Sequence, residues 1–293
     1  MREIKKLPVE IFGYDVEDHS QQASLARQQQ YCRFLKDTCN KPRKSEPDVK
    51  VGICSLGASV KGGKMSPVVV CPHRFKENSV FECLRLKYLS KWKNVKWVQE
   101  VNIGVGGNVD YVAVEVDSHD VVKDFLCVEI QAAGTTGSPY PYVKELLENG
   151  HFSGTLHRYG INWANEFSKT MMQQAYKKGK IIENWNRKIV FVVQDMALEY
   201  LQNTVDCSLL TPYNPESSID FCCFSINNNN SAHWDLQFDK IMSTTVEGIN
   251  LMLGGAGVSE YPSVDDFICS IMRKGVADGV FERNQYTREF SSY

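Results

Sequence analysis

The sequence predicts an α/β fold, a mixed sheet flanked by helices, laid down in the order helix, three strands, helix, strand. Three observations carry that expectation. "VKDFLCVEIQ", residues 122–131, alternates with the period of two that sends successive side chains to opposite faces of a strand. "RKIVFVVQD", residues 187–195, is a continuous apolar run of the kind buried on both faces of a sheet. Two further segments, near 79–92 and 162–179, place apolar residues with helical recurrence.

Taken along the chain, "SQQASLARQQQYCRFLKD" reads as a helix over about residues 20–36, and residues 37–70, rich in Pro, Gly, Ser and Lys, read as loop. "SVFECLRLKYLSKW" places Val80, Phe81, Leu84, Leu86, Tyr88 and Leu89 on a helix, and Ser79 with Glu82 has capping-box spacing. "VKWVQEVNIGV", "NVDYVAVEVD" and "VKDFLCVEIQ" are successive strands joined by the turn-rich "GVGGN" and "DSHD". No helix with Lys-Ser/Thr follows "GVGGN", so it is a hairpin turn and not a phosphate loop. "AAGTTGSPYPYVK" reads as a loop leaving the third strand. "NWANEFSKTMMQQAYKKG" is the next helix, with Trp163, Phe167, Met171 and Gln174 on one stripe and Gly179 near its end. "SSIDFCCFSI" and "HWDLQFDKIMSTTV" read as strands, "INNNNSAH" as a loop between them, and "SVDDFICSIMRKGVA" as a helix capped by Ser263 with Asp265 and Asp266 in its first turn. No feature marks the C-terminal third as a domain of its own.

Length and composition are those of a globular protein: 293 residues, 43% hydrophobic and 23% charged. No run of about 18 apolar residues occurs, and the N-terminus lacks an apolar signal region, so a cytosolic protein is expected. The net charge of −2 is unevenly spread. Residues 1–100 hold 19 Lys and Arg against 11 Asp and Glu, whereas residues 101–293 hold 14 against 24. A basic N-terminal third suits a polyanionic partner, because Lys and Arg replace condensed counterions, and it equally suits a solvated basic surface.

The chemistry gathers at the end of the third strand. Glu129 and Gln131 are two apart and therefore share a face, and Asp110, just beyond the Gly-rich turn on the second strand, can lie beside Glu129 if the strands pair. Two carboxylates at close range require a cation. Oxygen-only ligands favour Mg²⁺, with the backbone carbonyl of Ile130 completing the protein's share. Asp on one strand followed by Glu-X-Lys on the next is the arrangement of the PD-(D/E)XK nuclease core. Here Gln131 stands at the lysine position, orienting water by hydrogen bonds without adding charge.

Ten cysteines are present, at 32, 39, 54, 71, 83, 127, 207, 222, 223 and 269. Cys83, Cys127, Cys222, Cys223 and Cys269 lie in apolar or helical contexts and read as small core residues. Cys32, Cys39, Cys54 and Cys71 are separated by six, fourteen and sixteen residues. Four thiolates can hold tetrahedral zinc or iron, and a metal clip would order this core-poor segment, but without a CxxC pair buried free thiols are the alternative. His73 is a possible substitute ligand; its adjacency to Cys71 argues against a Cys–His nucleophilic pair.

"CPHRFKENSVFE" at 71–82, "GNVDYVAVEV" at 107–116 and "VEIQAAGTTGSPY" at 128–140 together resemble the NotI family of type II restriction endonucleases, over a region from about Cys32 to Asp195. The resemblance implies a PD-(D/E)XK fold and Mg²⁺-dependent cutting of both strands of duplex DNA by a homodimer at a palindromic site. It also implies a cognate DNA methyltransferase and a bacterial cytoplasmic setting. It implies a catalytic group of Asp110, Glu129, Gln131 and the upstream Glu100, so that Gln131 departs from the wider superfamily and agrees with the family. It implies iron held by Cys32, Cys39, Cys54 and Cys71, where the residues alone suggest zinc. On this reading residues 1–77 form the four-cysteine segment and 78–293 the nuclease domain with C-terminal elaborations. Thr135, Thr136 and Lys144, beside the catalytic strand, are expected to meet DNA phosphates. A non-cleaving DNA-binding protein with a nuclease-like fold and a structure-specific repair nuclease are the rivals.

Overall fold

The N-terminal residues build a small sheet of their own. In the computed structural model, which describes residues 3–255 apart from residues 44, 61, 154–158 and 229–232, the chain opens with β1 (Pro8–Ile11), β2 (Tyr14–Asp15), α1 (Gln21–Gln28), β3 (Tyr31–Cys32) and β4 (Asp37–Thr38). β5 (Pro42–Arg43), β6 (Glu46–Lys50), β7 (Ile53–Ala58) and β8 (Ser66–Val69) follow. β2, β1, β7 and β8 form a four-stranded sheet in that order. Two expectations are corrected here. The helix expected to reach residue 36 ends at Gln28, because Gln30 takes a φ of 53° and the chain turns into the β3–β4 hairpin. The stretch expected as loop over 37–70 carries five strands, β4 to β8. Ile53–Gly57 is buried on both faces, so no alternation of two betrays it, and pairing holds its small residues in place.

α2 (Asn78–Tyr88) begins the larger layer. Val80 and Leu84 are buried, whereas Leu86, expected on the same stripe, is 66% exposed. The expected Ser79–Glu82 capping box does not form: the chain enters the helix through Glu77, and the Ser79 hydroxyl lies 3.5 Å from both Glu77 Oε2 and the Leu236 carbonyl. The expected strands follow as β9 (Val95–Asn102), β10 (Asn108–Val116) and β11 (Val122–Gln131). Next come β12 (Thr135–Gly137) and α3 (Tyr140–Asn149), which replace the loop expected over residues 132–144, and then β13 (Tyr159–Ile161). Tyr142, Val143 and Leu146 make the buried stripe of α3, and Gly150, at φ 74°, takes the left-handed turn that ends it.

Residues Ala164–Met171 form a π-helical stretch that runs into α4 (Met172–Asn184). The buried stripe is Phe167, Met171, Ala175, Lys178 and Ile182, so Gln174 lies beside it. Gly179 does not end the helix. It is buried in the middle, where the Ile219 side chain approaches too closely for a Cβ. β14 (Ile189–Gln194), α5 (Asp195–Gln202), β15 (Thr211–Pro212), β16 (Ile219–Asn227), β17 (Asp235–Thr244) and α6 (Val246–Met252) complete the described chain.

The seven-stranded sheet has the order β15-β17-β16-β14-β11-β10-β9. β11, β14 and β16 are parallel at its centre, and antiparallel strands flank them. The described residues thus make a mixed α/β fold with a central mixed sheet and six α-helices. β14 is buried at every position, as its continuous apolar run demands. Ile189, Phe191 and Val193 pack on one face with Met171, Met172, Ala175 and Ile182; Val190 and Val192 pack on the other with Val80, Leu84 and Leu89. Cys127, Cys222 and Cys223 are core residues, as expected. The chain divides between Ala256 and Gly257, a boundary that no shift in composition marks. Ser263, Asp265, Asp266 and Cys269, and the helix expected there, lie outside the described residues.

Candidate active site

β10 and β11 pair antiparallel with Tyr111 opposite Val128, and this register sets Asp110 against Glu129. The backbone N–H of Ile130 donates to Asp110 Oδ2 at 2.8 Å. Glu129 shares the parity of Cys127, which packs on the α4 side of the sheet, so its carboxylate enters the space between sheet and α4. It is 5% exposed. Burial first, then the neighbouring Asp110, push the Glu129 carboxyl up to about 7, against the pull of Lys178. Burial also raises Asp110, with Glu100 adding to the rise and the Ile130 N–H, Lys178 and Lys76 opposing it.

Glu100 lies on β9 across from Asp110, between the pairs Gln99–Tyr111 and Val101–Val109. Its φ of 54° marks a local break in the strand, and its exposed carboxylate accepts from Asn108 Nδ2 at 3.4 Å. Gln131, half-buried, donates Nε2 to the Ala132 carbonyl at 3.1 Å and to Glu166 Oε2 at 3.4 Å. Both partners are acceptors only, so the amide is held one way round and its Oε1 is the end presented to a ligand. The structure therefore brings Asp110, Glu129 and Gln131 to one strand tip, with Glu100 at its rim.

Two residues of this site escaped the sequence reading. Lys178, from α4, donates Nζ to Glu129 Oε1 at 2.6 Å and to the Asn108 carbonyl at 2.6 Å. It is only 4% exposed. Glu166, on the π-helical stretch, reaches Gln131 because Gly134 leaves room: a Cβ there would lie 2.7 Å from Glu166 Cδ. π-helical turns concentrate at functional sites. A lysine on an otherwise apolar helical stripe was the available signal for Lys178; Glu166 had none.

Of the residues expected to meet DNA, Thr135 and Thr136 lie on the β12–β13 ribbon just past the end of β11. Lys144 stands exposed on α3, paired with Glu148 at 3.7 Å, and α3 packs against the N-terminal sheet.

Cys32, Cys39, Cys54 and Cys71 are all buried. Cys32 sits in the β3–β4 hairpin with Cys39 just past it, while Cys54 is on β7 and Cys71 follows β8. Burial raises the Cys32 thiol, and Cys39 and Cys71 raise it further, while the backbone N–H groups of Leu35 and Phe34 point at its sulfur and oppose the rise. Burial raises Cys54 most, with Cys71, Glu10 and Cys32 adding to it. The four thiols are thus electrostatic neighbours. Among the described residues, however, no three or more His, Cys, Asp or Glu side chains converge into a group that could hold a metal ion. His73 pairs with Asn40, with Nε2 and Oδ1 2.7 Å apart, and burial with Lys76 and Lys41 lowers its pKa to about 4.

The family model described as restriction endonuclease NotI matches residues 10–207. The chain belongs to the NotI restriction endonuclease family. It is a type II site-specific deoxyribonuclease, and its substrate is double-stranded DNA. The matched span runs from β1 to just beyond α5 and includes the four clustered cysteines, the paired carboxylates, Gln131, Glu166 and Lys178. No curated protein matches the chain. No helix among the described residues is long and apolar enough to cross a membrane.

Proposed function

We propose that this NotI-family enzyme is a Mg²⁺-dependent nuclease with a PD-(D/E)XK core, cutting both strands at a palindromic site as a homodimer. The observation that carries the reading is the pairing of Asp110 with Glu129 across β10 and β11, locked by the Ile130 N–H. With Glu100 close by and Glu166 against Gln131, the site holds four carboxylates against Lys178 and the more distant Lys76. That excess of negative charge and that oxygen donor set fit a divalent, oxygen-seeking ion. Asp110, Glu129 and the Ile130 carbonyl would hold it. A bound Mg²⁺ supplies Lewis-acid charge at the scissile phosphate. The chain's residues do the rest: Gln131 presents Oε1 to accept a hydrogen bond from the attacking water and so orient it, and Glu100 at the rim positions that water or a second ion. Phosphodiester hydrolysis then leaves a 5′-phosphate, and a two-fold dimer offers one site to each strand.

In this reading residues 1–77 form a segment clipped by iron, or by zinc, on Cys32, Cys39, Cys54 and Cys71, and residues 78–293 form the nuclease domain. What supports this reading is the nearness of the four buried thiols, close enough to raise one another's pKa; their burial disfavours the thiolate, so a metal would have to displace the protons itself, helped at Cys32 by two backbone N–H groups. Thr135, Thr136 and Lys144 contact phosphates, and a cognate methyltransferase protects the host DNA in a bacterial cytoplasm. The test is digestion of a mixed plasmid library with Mg²⁺. Discrete fragments are expected from the native enzyme and none from Asp110→Asn or Glu129→Gln, while both variants still bind DNA in Ca²⁺. Near-normal cutting by either variant refutes the assignment; cutting confined to branched or damaged DNA makes the enzyme a repair nuclease.

A further inference from the structure

We infer that Lys178 is the resident cation of the catalytic carboxylates, a positioning residue that supplies from helix α4 the positive charge that Gln131 does not supply from the strand. The inference rests on the carboxylate site proposed above. An ammonium this deeply buried costs several kcal/mol unless its charge and its donors are met. Lys178 meets them with Glu129 Oε1 and the Asn108 carbonyl, both at 2.6 Å. Its neighbours on the helix stripe are Phe167, Met171, Ala175 and Ile182. For packing alone, an apolar residue would serve there without the desolvation cost. Asn108 is two residues before Asp110 on β10, so one ammonium ties the strand of the first carboxylate to the side chain of the second. That link fixes where the Glu129 carboxylate points.

Charge counting gives the role its consequence. A dication on Asp110 and Glu129 shares Glu129 with an ammonium, and like charges at a few ångströms repel. Lys178 therefore weakens ground-state metal binding. As hydrolysis proceeds, the phosphoryl group gains a second negative charge, and a fixed cation nearby stabilises that change. A residue that only packs the helix would have neither effect.

Removing the charge should accordingly move two readouts in opposite directions. In the full-length enzyme at pH 8.5, Lys178→Met should bind Ca²⁺ roughly tenfold more tightly by calorimetry. Its single-turnover cleavage in Mg²⁺ should fall about 100- to 1,000-fold. Lys178→Arg, which keeps the charge, should return both towards native values. If Lys178→Met fails to fold, Lys178→Gln, which keeps a donor for the Asn108 carbonyl, carries the same expectations. Ca²⁺ affinity and cleavage falling together, or neither moving, overturns the inference. Failure of the underlying site shows separately, as Glu129→Gln retaining both Ca²⁺ binding and cleavage.

Discussion

Glu129 should make the metal-free enzyme lose stability as pH rises. Its carboxyl lies at 4.5 in the unfolded chain and is pushed up to about 7 in the fold. Between those values the folded state keeps a proton that the unfolded chain has released. The folded state then binds more protons, and stability falls as pH increases. At about 1.4 kcal/mol per pH unit, the displacement is worth roughly 3 kcal/mol, fully felt above pH 7 and absent below pH 4.5. Glu129→Gln removes the titrating group. Urea unfolding in EDTA at pH 4.5 and pH 8 should therefore show the native enzyme losing about 3 kcal/mol more than Glu129→Gln over that interval. The lowered pKa of His73 affects both proteins alike and cancels in the difference. Ca²⁺ at pH 8 should restore the native protein more than the variant, because the ion needs the ionised carboxylate. A difference under about 1 kcal/mol would refute the reasoning, since Glu129 would then titrate as an ordinary surface carboxyl.

Two further outcomes test the neighbouring features. Gly134→Ala should slow cleavage about tenfold by driving Glu166 off Gln131, with stability changed by less than about 1 kcal/mol because only a flexible side chain must move. In a Glu166→Ala background the same substitution should cost nothing, and a cycle of cleavage rates that adds independently would disprove the connection. Cys54→Ser should take metal content, read by atomic emission, from about one ion per chain to near zero. It should also speed hydrogen exchange in β7 while leaving β14 protected; an unchanged metal content would remove Cys54 from the ligand set.

What the sequence revealed of this fold tracks how the core is made. β9, β10, β11, β14, β16 and β17 were legible because each is long and patterned by a sheet with one or two buried faces. The N-terminal strands were not, because Ile53–Gly57 mixes Cys, Ser and Gly at positions that are all buried, and its stability comes from pairing with β1 and β8 rather than from its own pattern. α3 was hidden by the Gly, Thr and Pro residues around it, although Tyr142, Val143 and Leu146 carry a helical stripe.

The site divides along the same line. Glu129 and Gln131 are readable from strand parity alone, and Asp110 follows once β10 and β11 pair. Lys178 depends on a tertiary contact: "AYKKGK" offers Lys177, Lys178 and Lys180, and only the register of the helix against the sheet selects among them. That register is set at one end by the π-helical stretch and in the middle by Gly179, whose missing side chain lets Ile219 approach. Phe167, Met171, Ala175 and Ile182 then face the core, and the position between the last two faces the carboxylates. A charge there is tolerated only because Glu129 and the Asn108 carbonyl await it. The apolar stripe is thus what makes the lysine conspicuous. A charged residue on the buried face of a helix, opposite a strand that ends in a carboxylate, can be sought in sequence as a pair, even where neither residue is informative alone.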